Sequence, residues 1–87
     1  MLGARVERVY VEYDAARQAL PALEKSLTAA RDNYAQALAR FQAGLGTTLE
    51  LADAQSLLAE ADSAAAVGGF RLATARARLG RAIAENL

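Results

Sequence analysis

Apolar and small side chains recur every seven residues along almost the whole chain, and this repeat is interrupted once, at Gly44-Leu45-Gly46-Thr47. The first line of the repeat is Val6, Tyr13, Leu20, Leu27, Tyr34 and Phe41, continued by Leu51, Leu58, Ala65, Leu72 and Leu79. The second line, three residues later in each repeat, is Val9, Ala16, Leu23, Ala30, Ala37 and Gly44, continued by Ala54, Ala61, Gly68, Ala75 and Ala82. Such a repeat keeps one seam facing a partner only in an α-helix. The sequence therefore predicts an all-α fold, an antiparallel coiled-coil hairpin of two long helices.

Composition limits the functions that the chain can have. Its 87 residues allow one small domain or a piece of a larger one. Ten Lys and Arg balance ten Asp and Glu, so no net field attracts nucleic acid or an anionic membrane. The absence of His and Cys removes the commonest bases, nucleophiles and metal ligands, so we expect neither catalysis nor a cofactor. No apolar run could span a bilayer and the start does not resemble a signal peptide, so we expect a cytosolic protein or a piece of a longer chain.

The two helices are predicted over about residues 5–43 and 48–84, with the turn at 44–47, in a single helical-hairpin segment. Pro21 lies inside the first helix, where it removes an amide and clashes with the carbonyl of Arg17. Two interpretations are open: one helix kinked near Arg17, or a break with Pro21 in the first turn of a new segment. Because Leu20 and Leu23 keep the repeat in phase across Pro21, we favour the kink.

The turn contains residues that suit helix ends. Gly44 fits the left-handed position after a helix C-terminus because it has no Cβ. Thr47 to Glu50 reads as a capping box, in which the Thr47 hydroxyl accepts from the Glu50 amide and the Glu50 carboxylate accepts from the Thr47 amide. Glu50 and Asp53 also lie near the positive end of the helix dipole. This role accounts for both carboxylates, and two are too few for a dedicated metal site.

Charges indicate how the two helices are aligned. Folding the chain back about Leu45 places four pairs of opposite charges side by side: Arg40 with Glu50, Arg31 with Glu60, Asp14 with Arg76, and Glu12 with Arg78. The same alignment brings Leu23 near Gly68 and Leu20 near Leu72. Glycine lowers helix propensity by about 1 kcal/mol, and both a close approach of the helices and a local bend would explain the Gly68-Gly69 pair.

Some apolar residues lie off the seam. They include Leu38, Leu57 and Val67, together with several alanines on each helix. An isolated hairpin would leave these side chains in water, so we expect other helices to cover them. The hairpin is therefore expected to assemble into a helical bundle.

The residues around the turn form a pattern, aromatic-x-x-Gly-x-x-Ser/Thr-x-aliphatic-acidic-aliphatic-x-acidic-Ala-Gln. The matching residues are Phe41, Gly44, Thr47, Leu49, Glu50, Leu51, Asp53, Ala54 and Gln55, and Leu58 and Ala61 continue the pattern at heptad spacing. This run resembles a recurrent signature of the TolC-type outer membrane efflux proteins, and the likeness covers most of the chain. The sequence departs from the family pattern at Phe41, where Tyr is commoner, at Ala52, where Leu is usual, and at Pro21.

The resemblance implies a part in a tunnel built by three chains, with a β-barrel in the outer membrane and an α-helical barrel in the periplasm. In that family each chain contributes helical hairpins. The turn in question lies at the periplasmic tip, which opens and closes the tunnel and meets a periplasmic adaptor protein linked to an inner-membrane pump. Carried over by position, the partner-binding tip would be Phe41, Gly44, Leu45, Gly46 and Thr47, and the channel entrance would carry Glu50 and Asp53.

The chain is too short for a whole channel of this kind, because it has no strands for a barrel and about one hairpin. We therefore expect a fragment from the periplasmic part of an outer membrane protein of a Gram-negative bacterium, whose membrane contact belongs to parts missing from this chain. The fragment alone is expected to be soluble and to self-associate as a dimer or another helical bundle. A trimer is expected for the full-length channel.

Two other interpretations are open. A stand-alone coiled-coil interaction protein without a channel role would show the same heptads and the same charge complementarity. Only the turn signature and the surplus apolar surface favour the channel over it. The hairpin of a periplasmic adaptor would need lipoyl-like β segments on both sides, and none appears in the sequence.

Overall fold

The structure of the chain is a computed structural model that describes residues 2–85. Helix α1 spans Leu2–Gln42 and helix α2 spans Thr48–Glu85, and α2 packs back along α1 over its length. The hairpin is 64 Å long and about 14 Å by 13 Å in cross-section. Neither helix gives way to a strand within the described residues. The predicted all-α hairpin of two long helices is confirmed.

The seam lies where the heptad repeat predicts it. We label the first line of the repeat a and the second line d, so that g immediately precedes a and c immediately precedes d. Every a and d residue is buried or half-buried except Phe41 and Gly44, which lie at the turn. The most buried d positions of α2 are Ala54, Gly68, Ala75 and Ala82. Because these residues are small, the helices approach closely, and the described residues contain no large side chain that is fully buried.

Gly68 marks a close approach of the two helices. A Cβ built on Gly68 would be 2.5 Å from Leu23 Cδ1 and 3.5 Å from Leu20 Cδ1. At Gly69, by contrast, an added Cβ meets nothing within 4 Å. Close packing therefore explains Gly68 and does not explain Gly69.

Helix α1 continues through Pro21 as a single element of 41 residues. The interpretation in which the chain breaks before Pro21 is therefore wrong. Pro21 is exposed, so its ring lies away from the seam. This position lets Leu20 and Leu23 keep their places on the a and d lines, where both are half-buried.

Within residues 2–85, three ion pairs join the helices, and two of them were predicted. Arg40 Nε lies 3.9 Å from Glu50 Oε2, and Arg78 Nη1 lies 4.0 Å from Glu12 Oε2. The third pair joins Arg5 Nη1 to Glu85 Oε2 at 2.9 Å, near the ends of the chain. All six residues occupy g positions. The g lines of two antiparallel helices run side by side along one flank of the seam, so these charges can meet.

The other two predicted pairs, Arg31 with Glu60 and Asp14 with Arg76, do not form in the described part of the chain. Arg31 follows a d residue whereas Glu60 precedes one, so their side chains lie on opposite flanks of the hairpin. Asp14 accepts hydrogen bonds from Arg17 Nη2 at 2.6 Å and Gln18 Nε2 at 2.8 Å instead. The bond from Arg17 to Asp14 also raises the pKa of the Arg17 guanidinium.

Candidate functional site: the hairpin turn

The end of α1 is closed by backbone hydrogen bonds around Gly44. This glycine has a φ of 76°, in the left-handed region that residues with a Cβ rarely adopt. The Leu45 amide donates to the Arg40 carbonyl at 2.8 Å, and the Gly44 amide donates to the Phe41 carbonyl at 3.0 Å. These two bonds are the pair that defines a Schellman motif. They satisfy carbonyls that would otherwise lack a partner at the helix end.

Gly46 completes the reversal, because its backbone lies against the last turn of α1. Its amide also donates to the Arg40 carbonyl, at 3.1 Å. A Cβ on Gly46 would be 3.0 Å from Glu50 Oε2, 3.2 Å from Arg40 Cβ and 3.3 Å from the Phe41 amide nitrogen. The turn thus needs its two glycines for different reasons, Gly44 for its backbone angle and Gly46 for space.

Thr47 caps α2, as the sequence predicts. The Glu50 amide donates to Thr47 Oγ1 at 3.1 Å, and the Leu51 amide donates to the Thr47 carbonyl at 3.2 Å. The reciprocal half of the predicted capping box is wrong, since the structure shows no bond from the Thr47 amide to the Glu50 carboxylate. That carboxylate lies near the Arg40 guanidinium instead. A cationic partner is available within reach, and charge–charge attraction favours it over a neutral amide.

Arg40 links the two arms of the turn. Its carbonyl accepts from the Leu45 and Gly46 amides, and its guanidinium Nη2 donates to the Leu45 carbonyl at 3.2 Å. The same guanidinium faces Glu50. Sequence reasoning predicted the pair with Glu50 but did not assign Arg40 to the site. Arg40 could have been assigned to the site from its position in the sequence, one turn before a glycine at a helix end.

Apolar side chains project at the tip of the hairpin. Leu45 and Leu49 are each 71% exposed and Phe41 is 40% exposed. We call Phe41, Leu45 and Leu49 the tip patch. Leu49 belongs to the sequence signature but was not predicted as a site residue. A cluster of exposed apolar side chains can mark a surface that binds another protein.

The two acidic residues lie beside the tip patch in the first turns of α2. Glu50 and Asp53 border a shallow groove together with Asn33, Gln36 and Arg40. Glu50 is within ion-pair distance of Arg40, whereas Asp53 makes no ion pair with another described residue. Residues 2–85 hold no group of three or more acidic side chains that could bind a metal ion. The tip patch and the two acidic residues beside it can therefore offer a partner both apolar contacts and negative charge.

The fold is a long two-helix coiled coil whose turn is held by hydrogen bonds and carries exposed apolar side chains. The protein therefore belongs to the class of helical hairpins whose tip is available for contact with a partner. Residues 1–85 match the outer membrane efflux protein family. The chain belongs to this family of outer membrane transport channels, and the resemblance inferred from the turn is confirmed. Comparisons with curated proteins and with solved structures gave no match. Neither α1 nor α2 has the length of apolar sequence that crossing a bilayer requires.

Proposed function

We propose that this chain is part of the periplasmic α-helical tunnel of a trimeric outer membrane efflux channel in a Gram-negative bacterium. The observation that carries this proposal is the family match over residues 1–85, which spans both helices and the turn. A hairpin 64 Å long suits the wall of a tunnel that projects away from a membrane. The channel would work with a periplasmic adaptor protein and an inner-membrane pump.

The tip would bind the adaptor through Phe41, Gly44, Leu45, Gly46 and Thr47, together with Leu49. Its apolar side chains are exposed, while its backbone is held by the Schellman bonds and the Thr47 cap. A surface that is ordered before binding loses little conformational entropy when a partner docks. These features support contact with a partner whose own surface is apolar at the point of docking.

Glu50 and Asp53 would lie near the tunnel entrance. Negative charge at a constriction raises the local concentration of cations and disfavours anions. The Arg40 guanidinium, 3.9 Å from Glu50, offsets part of the Glu50 charge. Asp53 has no such partner within residues 2–85, so we assign it the larger share of the field at the entrance.

The test is a substitution of the tip patch in the full-length channel that contains this segment. Leu45→Ala with Leu49→Ala should weaken cross-linking to the adaptor about tenfold or more, as expected for exposed anchors at the centre of an interface. The substituted channel should still assemble as a trimer but fail to export. Val11→Ala is the matched control, because Val11 is 65% exposed on α1 far from the turn. Equal behaviour of the tip variant and the control would contradict the proposal that the tip binds the adaptor.

A further inference from the structure

Helix α2 has a second uncharged face, on the side away from the seam. In the same heptad lettering, b follows a, e follows d and f precedes g. The b and f positions of α2 hold eleven exposed residues, and none of them is charged: Leu49, Ala52, Ser56, Ala59, Ser63, Ala66, Phe70, Ala73, Ala77, Gly80 and Ala84. We call these residues the outer face of α2. At ~1.5 Å per residue this face is about 50 Å long.

The nine charged residues of α2 occupy the other exposed positions of the heptad. Four of them are g residues beside the seam: Glu50, Arg71, Arg78 and Glu85. The other five are c and e residues that border the outer face, acidic towards the turn and basic towards the open end: Asp53, Glu60, Asp62, Arg76 and Arg81. The b and f positions of α1, by contrast, include Glu7, Asp14, Lys25 and Asp32. A helix face in water ordinarily carries such charges, so their absence from the outer face of α2 indicates a contact surface.

The spacing of residues on the outer face indicates that its partner is a helix. The b residues Ala52, Ala59, Ala66, Ala73 and Gly80 repeat every seven residues, as the residues of the seam do. Only a helix that supercoils with α2 stays in contact with such a line along its whole length. Because the b residues are small, the backbone of that helix can approach closely.

Phe70 is the largest side chain on the outer face and lies near its middle. Its side chain is 72% exposed. The nearest residues on the same face, Ala66 one turn before it and Ala73 one turn after it, are small. A large apolar side chain that projects beyond small neighbours can insert into a hole between side chains of a facing helix. Aromatic residues that fill such a site often supply much of the binding energy of an interface.

We propose that the outer face of α2 packs against the first helix of a neighbouring hairpin in the tunnel wall, with Phe70 as the anchor. This packing rests on the tunnel role proposed above. In a closed wall of hairpins that point the same way, each helix has two neighbours, its partner across the seam and a helix of the next hairpin. For α2 the second neighbour is antiparallel, as α1 is. The charges that border the outer face require this neighbour to be basic near the turn and acidic towards the open end.

Cysteine labelling of the full-length channel tests which side of α2 is covered. Ala66→Cys lies on the outer face, and Ala64→Cys at a g position is the matched control, because both alanines are exposed in the hairpin. Any cysteine outside this segment is replaced first. A small water-soluble maleimide should react with Ala66→Cys about tenfold or more slower in the native trimer than in the unfolded chain, because packing protects it. Ala64→Cys should react at similar rates in both states.

Removal of the anchor provides a second measurement. Phe70→Ala, added to the Ala66→Cys channel, should speed the labelling about tenfold because the contact between the hairpins is weakened. Leu57→Ala is the control, since Leu57 is an apolar g residue that is 53% exposed, and it should leave the rate unchanged. An unchanged rate with Phe70→Ala would contradict the role of Phe70 as the anchor.

The outcomes separate this packing from the tunnel role. Equally fast labelling of Ala66→Cys and Ala64→Cys in a channel that still exports would overturn the packing and leave the tunnel role intact. Protection of Ala64→Cys without protection of Ala66→Cys would place the neighbouring hairpin on another side of α2 and also overturn the packing. A full-length protein that does not export before any substitution would contradict the tunnel role and the packing with it.

Discussion

Leu23 Cδ1 lies so close to Gly68 that a Cβ added to this glycine would be 2.5 Å away from it. Gly69, the next residue, has open space at the same position. Alanine at either site gains about 1 kcal/mol of helix propensity. At residue 68 the gain is offset because Leu23 must move within the seam, and forcing an extra methyl into packed space costs about 1 to 3 kcal/mol.

We therefore expect Gly69→Ala to stabilise the hairpin by about 1 kcal/mol and Gly68→Ala to be neutral or destabilising. Urea unfolding at one fixed protein concentration measures the difference. Equal stabilisation by both substitutions would mean that the helices do not approach closely at Gly68.

The left-handed backbone of Gly44 makes a second matched pair of substitutions possible. Gly44→Ala should destabilise the chain by about 1 to 2 kcal/mol, because a Cβ is strained at positive φ. Gly80→Ala, inside α2 with nothing within 4 Å of the added methyl, should stabilise it by about 1 kcal/mol. Thermal unfolding would show opposite shifts in melting temperature. Two shifts of the same sign would argue against the Schellman turn.

The Thr47 hydroxyl caps α2, so removing it should lower the stability of the folded chain. Thr47→Ala should cost about 1 kcal/mol because the Glu50 amide loses its acceptor. Thr48→Ala is the control, since Thr48 lies in the first turn of the helix, where alanine is a better helix former. Chemical denaturation of both variants measures this, and an unchanged midpoint for Thr47→Ala would contradict the cap.

The position of charges on the heptad predicts which pairs interact energetically. A double-mutant cycle for Arg5 and Glu85, 2.9 Å apart, should give a coupling of about 0.2 to 1 kcal/mol that falls with added salt. The cycle for Arg31 and Glu60 should give none, because those residues lie on opposite flanks. A larger coupling for the second pair would mean that the helices are aligned differently.

In the full-length channel, neutralising the acidic residues should alter ion selectivity. Asp53→Asn should reduce the preference for cations more than Glu50→Gln does, because Arg40 already offsets part of the Glu50 charge. Single-channel reversal potentials in a salt gradient measure this directly. Unchanged selectivity in both variants would remove Glu50 and Asp53 from the tunnel entrance.

The seam could be predicted from sequence because a seven-residue repeat specifies which residues share one face of a helix. That is why Ala54, Gly68 and Ala82 were correctly assigned to it. The partner of a flexible charged side chain could not be predicted in the same way. Asp14 has two donors on its own helix that alignment alone does not reveal.

The turn was predictable for its backbone and less so for its side chains. Gly44 and Thr47 were assigned from rules for helix ends, which depend only on local sequence. Whether the Glu50 carboxylate interacts with the Thr47 amide or with the Arg40 guanidinium depends on where the turn places Arg40. The exposure of Leu49 depends likewise on the direction in which α2 leaves the turn.

The ion pair between Arg5 and Glu85 lies at the end of the hairpin opposite the turn. A force that pulls Arg5 and Glu85 away from each other would separate the helices there first, because the turn joins α1 and α2 covalently at the other end. The helices would then separate progressively from that end towards the turn, and the turn would keep its shape. Mechanical strain on this segment would leave the apolar tip unchanged until almost the whole seam had parted.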